Sequence, residues 1–218
     1  MFIHPEHIRS FFRLCNDTPV RYVLIKNIGD ELPDKLKNGK DIDILVHAED
    51  MKAFEELMKE NNYRKVVHPC GSENGWRFGY QLEEPVMWEK NNIQETFRID
   101  VSDKLCCHSF TEKVWIPLDK EINRDVWEYR YYDEKKQWWR MDDTTTLIYL
   151  IVRCIFDKQC FSPEYVAQIE AYQALLNQIN VQKKLEKVFF KFTPYLTELL
   201  LNKKYDDILK EYVTFTDY

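Results

Sequence analysis

The chain has 218 residues, of which 44% are hydrophobic and 15% aromatic, and it carries a formal net charge of −6. This apolar content is enough for a substantial core, and the aromatic content argues against a disordered chain. Non-specific binding to nucleic acid relies on clustered Lys and Arg that face phosphates. The acidic balance therefore favours a small or peptide-like substrate, and no nucleic-acid partner is expected.

The cysteine pattern indicates the cellular compartment. The six cysteines form no C-x-x-C pair and have no zinc-finger spacing, and Cys106 and Cys107 are adjacent, which suits a disulfide framework poorly. We therefore expect reduced thiols in a cytoplasmic protein. The first thirteen residues lack the layout of a signal peptide, and no apolar stretch approaches the length that crosses a bilayer.

The first part of the chain alternates helix and strand signals. Hydrophobic periodicity predicts helices over 5–15 and 49–61 and strands over 21–26, 41–46, 63–67, 76–81 and 95–101. We expect these strands to form one sheet. The loop between the first two strands contains Gly29, Pro33 and the turn-forming pair Asn38-Gly39.

The second part of the chain has a different composition. All five glycines lie in the first eighty residues. Residues 126–139 are aromatic and charged, which is typical of strand or irregular structure. Helices are then predicted from about 144, from 163 to about 178, and over 181–192, 193–201 and 205–212. The expected fold class is α+β, with a mixed sheet flanked by helices over 1–140 and a helical region over 141–218 that can share its core.

Two carboxylates stand close together in the second predicted strand, Asp41 to Val46 (DIDILV). Because side chains alternate across a strand, Asp41 and Asp43 share one face, while Ile42 and Ile44 point to the other. Two such carboxylates repel each other unless a cation lies between them. Hard divalent ions such as Mg²⁺ accept oxygen ligands of this kind and bind together with substrate phosphates.

A third carboxylate, Asp100, occurs in the strand FRIDV, between the apolar residues Ile99 and Val101. Placed on a neighbouring strand, it would complete a site for one or two metal ions, and it is the natural general base for an attacking hydroxyl. A pair of Asp residues can also be merely solvated, since D-x-D occurs by chance. The apolar frame and the second apolar-Asp-apolar strand favour the metal site.

These motifs resemble the nucleotidyltransferase superfamily, which includes polymerase-β-like enzymes, aminoglycoside nucleotidyltransferases and minimal bacterial nucleotidyltransferases. The shared pattern is a strand, a phosphate-gripping turn, an apolar-Asp-apolar-Asp-apolar strand and a later Asp; here it covers roughly residues 20–105. The segments LIKNIGDELP and GKDIDILV are similar to a bacterial subgroup, some of whose members accompany surface-polysaccharide genes. The resemblance implies Mg²⁺, an NTP donor and an unidentified small-molecule, sugar or protein acceptor.

The phosphate-gripping turn departs from the family pattern. The family turn is usually Gly-Gly or Gly-Ser, whereas this chain has Lys26-Asn27-Ile28-Gly29. Lys26 can supply positive charge and Asn27 a side-chain donor to phosphates, and Gly29 can form the tight turn. Alternatively, nucleotide binding is altered or lost.

Three further cations are candidates for binding phosphate. Lys40 precedes the Asp pair, although a solvated loop lysine is the simpler interpretation. Arg98 shares the face of Asp100 and can contact phosphate or pair with an acid. Lys158 lies on or just past the first helix of the second part, in a region that often completes the nucleotide pocket of related enzymes, although a solvated helix end is the simpler interpretation. The histidines His68 and His108 have no zinc-site spacing, so a zinc site is disfavoured.

Three other functions share part of this pattern. A glycosyltransferase also uses D-x-D, but usually after a longer Rossmann-like run. A phosphatase of the DxDx[TV] type would need Thr or Val at the position of Leu45. The non-enzymatic alternative is an inactive nucleotidyltransferase fold that acts as a binding or antitoxin-like module. The sequence leaves the oligomeric state open.

Overall fold

The computed structural model describes residues 1–92, 94–110 and 113–217. Within these ranges the chain forms eight α-helices: α1 Pro5–Asn16, α2 Met51–Glu60, α3 Lys120–Glu128, α4 Asp143–Val152, α5 Pro163–Ala171, α6 Ile179–Phe189, α7 Thr193–Leu201 and α8 Tyr205–Thr214. The helix predicted from about residue 144 begins at Asp143, and the carboxylate of Asp142 caps it by accepting hydrogen bonds from the backbone N–H groups of Thr144 and Thr145.

The described residues also form ten strands: β1 Tyr22–Leu24, β2 Asp41–Val46, β3 Arg64–Val66, β4 Arg77–Phe78, β5 Val86–Asn91, β6 Thr96–Ser102, β7 Cys106–His108, β8 Val114–Pro117, β9 Tyr131–Asp133 and β10 Trp138–Arg140. Seven of them make a mixed sheet in the order β3-β5-β6-β2-β1-β10-β9, and β4, β8 and β7 make a smaller sheet. The α+β class and the mixed sheet are as expected.

The prediction that a strand over 76–81 joins the main sheet is wrong. Only Arg77 and Phe78 are extended, and they pair with β8 in the smaller sheet. The strand ends there because Tyr80 and Gln81 have positive φ values of 53° and 58°, outside the extended region. In the main sheet β6 lies between β2 and β5, and periodicity does not predict β5 because its charged Glu89 is buried and hides the apolar pattern.

The two faces of the main sheet build two parts of the core. One face packs against α1 and α2 through a cluster that includes Phe11, Phe12, Ile42, Ile44 and Phe54. The other face packs against the later helices through Val23, Ile25, Leu45, Leu147 and Leu185. Residues beyond 141 therefore share one hydrophobic core with the sheet, and burial of these side chains holds the two regions together.

All six cysteines are free thiols. Among the described residues, no helix combines the length and apolarity needed to cross a membrane.

An ionic cluster around a buried glutamate joins β3, β5 and β6, three adjacent strands on one side of the main sheet. The carboxylate of Glu89 on β5 is 5% exposed and accepts hydrogen bonds from Arg64 at 2.6 Å, Arg98 at 2.9 Å and Asn91 at 2.6 Å. Hydrogen bonding to Arg64 outweighs the cost of burial, and with the help of Arg98 and Asn91 it lowers the pKa of Glu89 to about 2.

Replacement of Glu89 by Gln should destabilise the protein in a pH-dependent way. Because the folded-state pKa is lower than the unfolded-state value, the carboxylate stabilises the fold above about pH 4.5, and this contribution disappears as the pH falls towards 2. The arginines are partly solvated, so we expect a loss of about 1–2 kcal/mol at pH 7. Urea unfolding at pH 7 and pH 3 measures it. Glu56→Gln, an exposed change on α2, should show no such difference.

Candidate metal centre

The carboxylate cluster is set by the pairing of β2 with β6. These strands are parallel, and Asp43 lies directly opposite Asp100. Asp41 is two residues before Asp43 and so projects from the same face of the sheet. One carboxylate oxygen from each of the three residues lies within 4.8 Å of the others. The three acids that the sequence singled out are therefore brought together.

The donor set suits a hard divalent cation. All three ligands are carboxylate oxygens, the type that Mg²⁺ and Mn²⁺ select over softer metals. Oxygens that bind one Mg²⁺ at about 2.1 Å can lie up to roughly 4.2 Å apart, so oxygens that all lie within 4.8 Å of one another need at most a small side-chain adjustment. The same spacing could serve two ions, which in paired sites lie about 3.5–4 Å apart.

The electrostatics of the cluster favour binding of a cation. Burial raises the pKa of Asp41, and the Asp43 and Asp100 carboxylates raise it further, against the opposing effect of Lys26. Burial disfavours the charged form of His68, but contact with Asp100, together with Asp41 and Asp43, outweighs it and raises the pKa of His68. Three carboxylates thus create a strong negative potential that a divalent cation would neutralise.

Lys26 forms a direct ion pair with the cluster. Its Nζ atom lies 2.6 Å from Oδ1 of Asp43, and the side chains of both residues are mostly buried. The strand register explains this contact, because the backbone N–H of Ile25 donates to the Asp43 carbonyl and places Lys26 beside the acid. Lys26 therefore competes with a metal ion for this oxygen, and it lies where it could also contact a phosphate on that ion.

The other residues of the turn have local roles. The Asn27 side chain donates to Asp30 at 3.1 Å and accepts a hydrogen bond from the backbone N–H of Leu32 at 2.9 Å. Gly29 has a φ of 66°, a left-handed conformation that disfavours other residues. Asn27 thus holds the turn together, and one N–H of its side-chain amide remains to bind phosphate while the other donates to Asp30.

A cleft of about 630 Å³ opens beside Asp41 and Asp43. Five lysines are among the described residues that line it: Lys26, Lys35, Lys37, Lys40 and Lys158. The cleft is therefore lined both by acids, Asp41 and Asp43 together with Glu31 and Glu164, and by several cations. Such an arrangement fits a polyanionic ligand whose own charge is partly neutralised by a metal ion.

Lys158 reaches this cleft from the helical part of the chain. A π-helical turn, Arg153–Asp157, follows α4 and ends directly before it. Burial lowers the pKa of Lys158, and the nearby cations Arg153 and Lys26 lower it further. Arg153 is itself held by Asp157 at 3.2 Å. The positive potential around Lys158 would attract an anionic ligand.

Two of the other phosphate candidates are engaged in ion pairs. Arg98 donates to Glu89 and, at 3.3 Å, to the carbonyl of Gly39, so its guanidinium acts in the sheet. Lys40 lines the cleft, but its Nζ lies 2.7 Å from both carboxylate oxygens of Glu31. The sequence left open whether Arg98 contacts phosphate or pairs with an acid, and in the structure it pairs with an acid.

Some residues near the centre were not assigned a role from the sequence. His68, considered only as a zinc ligand, is 7% exposed, and its Nε2 lies 3.1 Å from Oδ2 of Asp100. Lys35 and Lys37 also line the cleft. The spacing of these lysines before the Asp pair was a usable signal, whereas no local pattern marks His68, because its position depends on the fold.

The chain matches no model of a known protein family, and no curated protein matches it.

Replacement of Lys26 by Met should strengthen metal binding in the absence of nucleotide. Removing an ammonium 2.6 Å from Asp43 leaves that carboxylate free to bind the cation. We expect the affinity for Mn²⁺ to rise about tenfold, equivalent to ~1.4 kcal/mol for a partly buried charge. Electron paramagnetic resonance titration measures free Mn²⁺ directly. Lys40→Met is the control, because it removes a lysine from the same cleft that pairs with Glu31 and not with the carboxylate cluster. It should change the affinity for Mn²⁺ less than threefold.

Proposed function

We propose that this protein is a Mg²⁺-dependent nucleotidyltransferase that transfers a nucleoside monophosphate from an NTP to an unidentified acceptor. The observation that carries the proposal is the convergence of Asp41, Asp43 and Asp100, the first two of which line a cleft that also contains several lysines. The mixed sheet with flanking helices is compatible with a nucleotidyltransferase-like fold. The acceptor is a small molecule, a sugar or a protein.

In this proposal the cation, held by Asp41, Asp43 and Asp100, supplies charge neutralisation for the triphosphate. The acceptor hydroxyl attacks the α-phosphorus, an O–P bond forms, and the bond to the β-phosphate oxygen breaks to release pyrophosphate. Asp100 accepts the proton that the hydroxyl loses. The protein contributes mainly position and electrostatics, since phosphoryl-type transfers need little covalent chemistry from side chains.

The lysines support a triphosphate in particular. An NTP carries about four negative charges, and a divalent cation leaves roughly two of them for the protein to neutralise. Lys26 and Lys158 both interact electrostatically with Asp43 of the carboxylate cluster. Lys26 forms an ion pair with it, and the Asp43 charge acts to raise the pKa of Lys158. Lys35 and Lys37 add positive charge to the lining of the cleft.

One observation favours a second candidate, a non-catalytic module on the same fold. Within the turn the Asn27 side chain already donates to Asp30 and accepts from the backbone N–H of Leu32, so only one of its N–H groups remains for phosphate. Such a module would bind nucleotide without turnover. Pyrophosphate release, measured together with binding, separates the two functions.

Replacement of Asp41, Asp43 or Asp100 by Asn should abolish the reaction. Each change removes a negative charge that the cation needs, so we expect pyrophosphate release to fall about 100- to 1000-fold. Thermal unfolding with Mg²⁺ and each NTP gives a second readout. A ligand at 100 times its Kd stabilises the wild type by about 2.7 kcal/mol, and this gain should be lost in Asp43→Asn.

Asp34→Asn provides the matched control. Asp34 is an exposed acid in the loop before β2 that pairs with Arg9. Its replacement removes one carboxylate that does not belong to the cluster. It should therefore preserve both activity and nucleotide-dependent stabilisation. An equal response of wild type and Asp43→Asn to Mg²⁺ and NTP would contradict the proposal.

Replacement of Lys158 by Met should weaken binding of NTP more than binding of the corresponding monophosphate. The lost charge lies in a cationic part of the cleft, and its effect grows with the charge of the ligand. We expect the Kd for NTP to rise about fivefold, equivalent to ~1 kcal/mol. Isothermal titration at two salt concentrations measures it. Lys183→Met, an exposed change on α6, should leave both affinities unchanged.

A further inference from the structure

The segment that follows β3 brings a buried imidazole to the metal centre. His68 is 7% exposed, and its Nε2 lies 3.1 Å from Oδ2 of Asp100. Asp100 is the one member of the carboxylate cluster that the proposed reaction uses both as a ligand and as the acceptor of a proton. Its orientation therefore matters more than its presence alone.

The other ring nitrogen of His68 fixes the tautomer. The backbone N–H of Cys70 donates to Nδ1 at 2.9 Å, so Nδ1 carries a lone pair and not a proton. The proton of the neutral ring is then on Nε2, which makes Nε2 a donor. A metal ion needs a lone pair, so this tautomer does not act as a metal ligand.

The proton on Nε2 is directed towards the acidic cluster. Nε2 is fully buried and has no well-aligned hydrogen-bond acceptor among the described residues, although the Asp100 carboxylate lies within reach. A small rotation of that carboxylate completes the bond. A buried N–H left without an acceptor costs about 1–3 kcal/mol, which favours this rotation.

The loop is built to hold the ring in place. The carbonyl of His68 accepts hydrogen bonds from the backbone N–H of Gly71 and from the side chain of Asn74, both at 3.0 Å. At position 71 a Cβ atom would lie 2.6 Å from Oε1 of Glu84 and 3.1 Å from the His68 carbonyl oxygen. Glycine therefore permits the tight path that presents His68 to the cluster.

We infer that His68 is a positioning residue that binds Oδ2 of Asp100 through its Nε2–H and so directs Oδ1 of Asp100 towards the cation and the acceptor. This role rests on the proposed function, because it needs a divalent cation at Asp41, Asp43 and Asp100. Groups that orient metal ligands typically change metal affinity or activity by about 10- to 100-fold when they are removed.

Two substitutions separate the donor from the rest of the side chain. In His68→Asn the amide oxygen can still accept from Cys70, but no donor reaches Asp100. In His68→Gln the longer amide nitrogen reaches approximately the position of Nε2. We expect Mn²⁺ affinity, measured by electron paramagnetic resonance without nucleotide, to fall about 10- to 100-fold in His68→Asn and less than about threefold in His68→Gln.

Asn74→Ala is the structural control, since it removes a hydrogen bond to the His68 carbonyl and leaves the imidazole intact. It should keep wild-type Mn²⁺ affinity, and thermal unfolding in EDTA verifies that every variant is folded. An equal loss in Asn74→Ala and His68→Asn would overturn the inference, because loop disruption would then explain both.

The outcomes also separate this inference from the proposed function. If the wild type binds Mn²⁺ and His68→Asn binds it equally well, only the positioning role is wrong. If the wild type binds no Mn²⁺, the metal centre is wrong and the positioning role falls with it. Rescue by His68→Gln together with loss in His68→Asn supports both.

Discussion

The register between two parallel strands is the constraint on which the carboxylate cluster, the candidate metal centre, depends. Asp43 on β2 lies opposite Asp100 on β6, and the backbone ladder holds this pairing along five residues of each strand. A slip of one residue would move Asp100 to the other face of the sheet and into the core. Burial of Ile42, Ile44 and Ile99 opposes such a slip, so the hydrophobic core enforces the geometry of the charged site.

The resulting site combines a group of acids with a group of lysines, and the like charges within either group destabilise the fold. The three carboxylates repel one another, and Lys26 and His68 relieve only part of that repulsion. The lysines of the cleft repel one another in the same way. A metal-bound polyanion would satisfy both groups at once, because the cation neutralises the acids and the phosphates neutralise the lysines. This complementarity is what the proposed metal-nucleotide complex would use.

The helical part of the chain contributes to the site as well as to the core. The apolar residues of α4 pack against the face of the sheet opposite α1 and α2, and the π-helical turn after α4 delivers Lys158 to the cleft. Tyr165 of α5 also lines the cleft. A helical region that shares the core of the sheet can hold these side chains at fixed distances from Asp43, which precise positioning of a substrate requires.

The sequence by itself determined what depends on local periodicity. Alternation along DIDILV placed Asp41 and Asp43 on one face, and the apolar frame of Asp100 identified its strand. Only the tertiary structure decided which strands are neighbours: β5 beside β6, the strand over residues 77–78 in the smaller sheet, Glu89 buried between two arginines, and His68 against Asp100. The reason is physical. Periodicity records which face of an element is buried, whereas contacts between residues far apart in the chain depend on how several elements pack together.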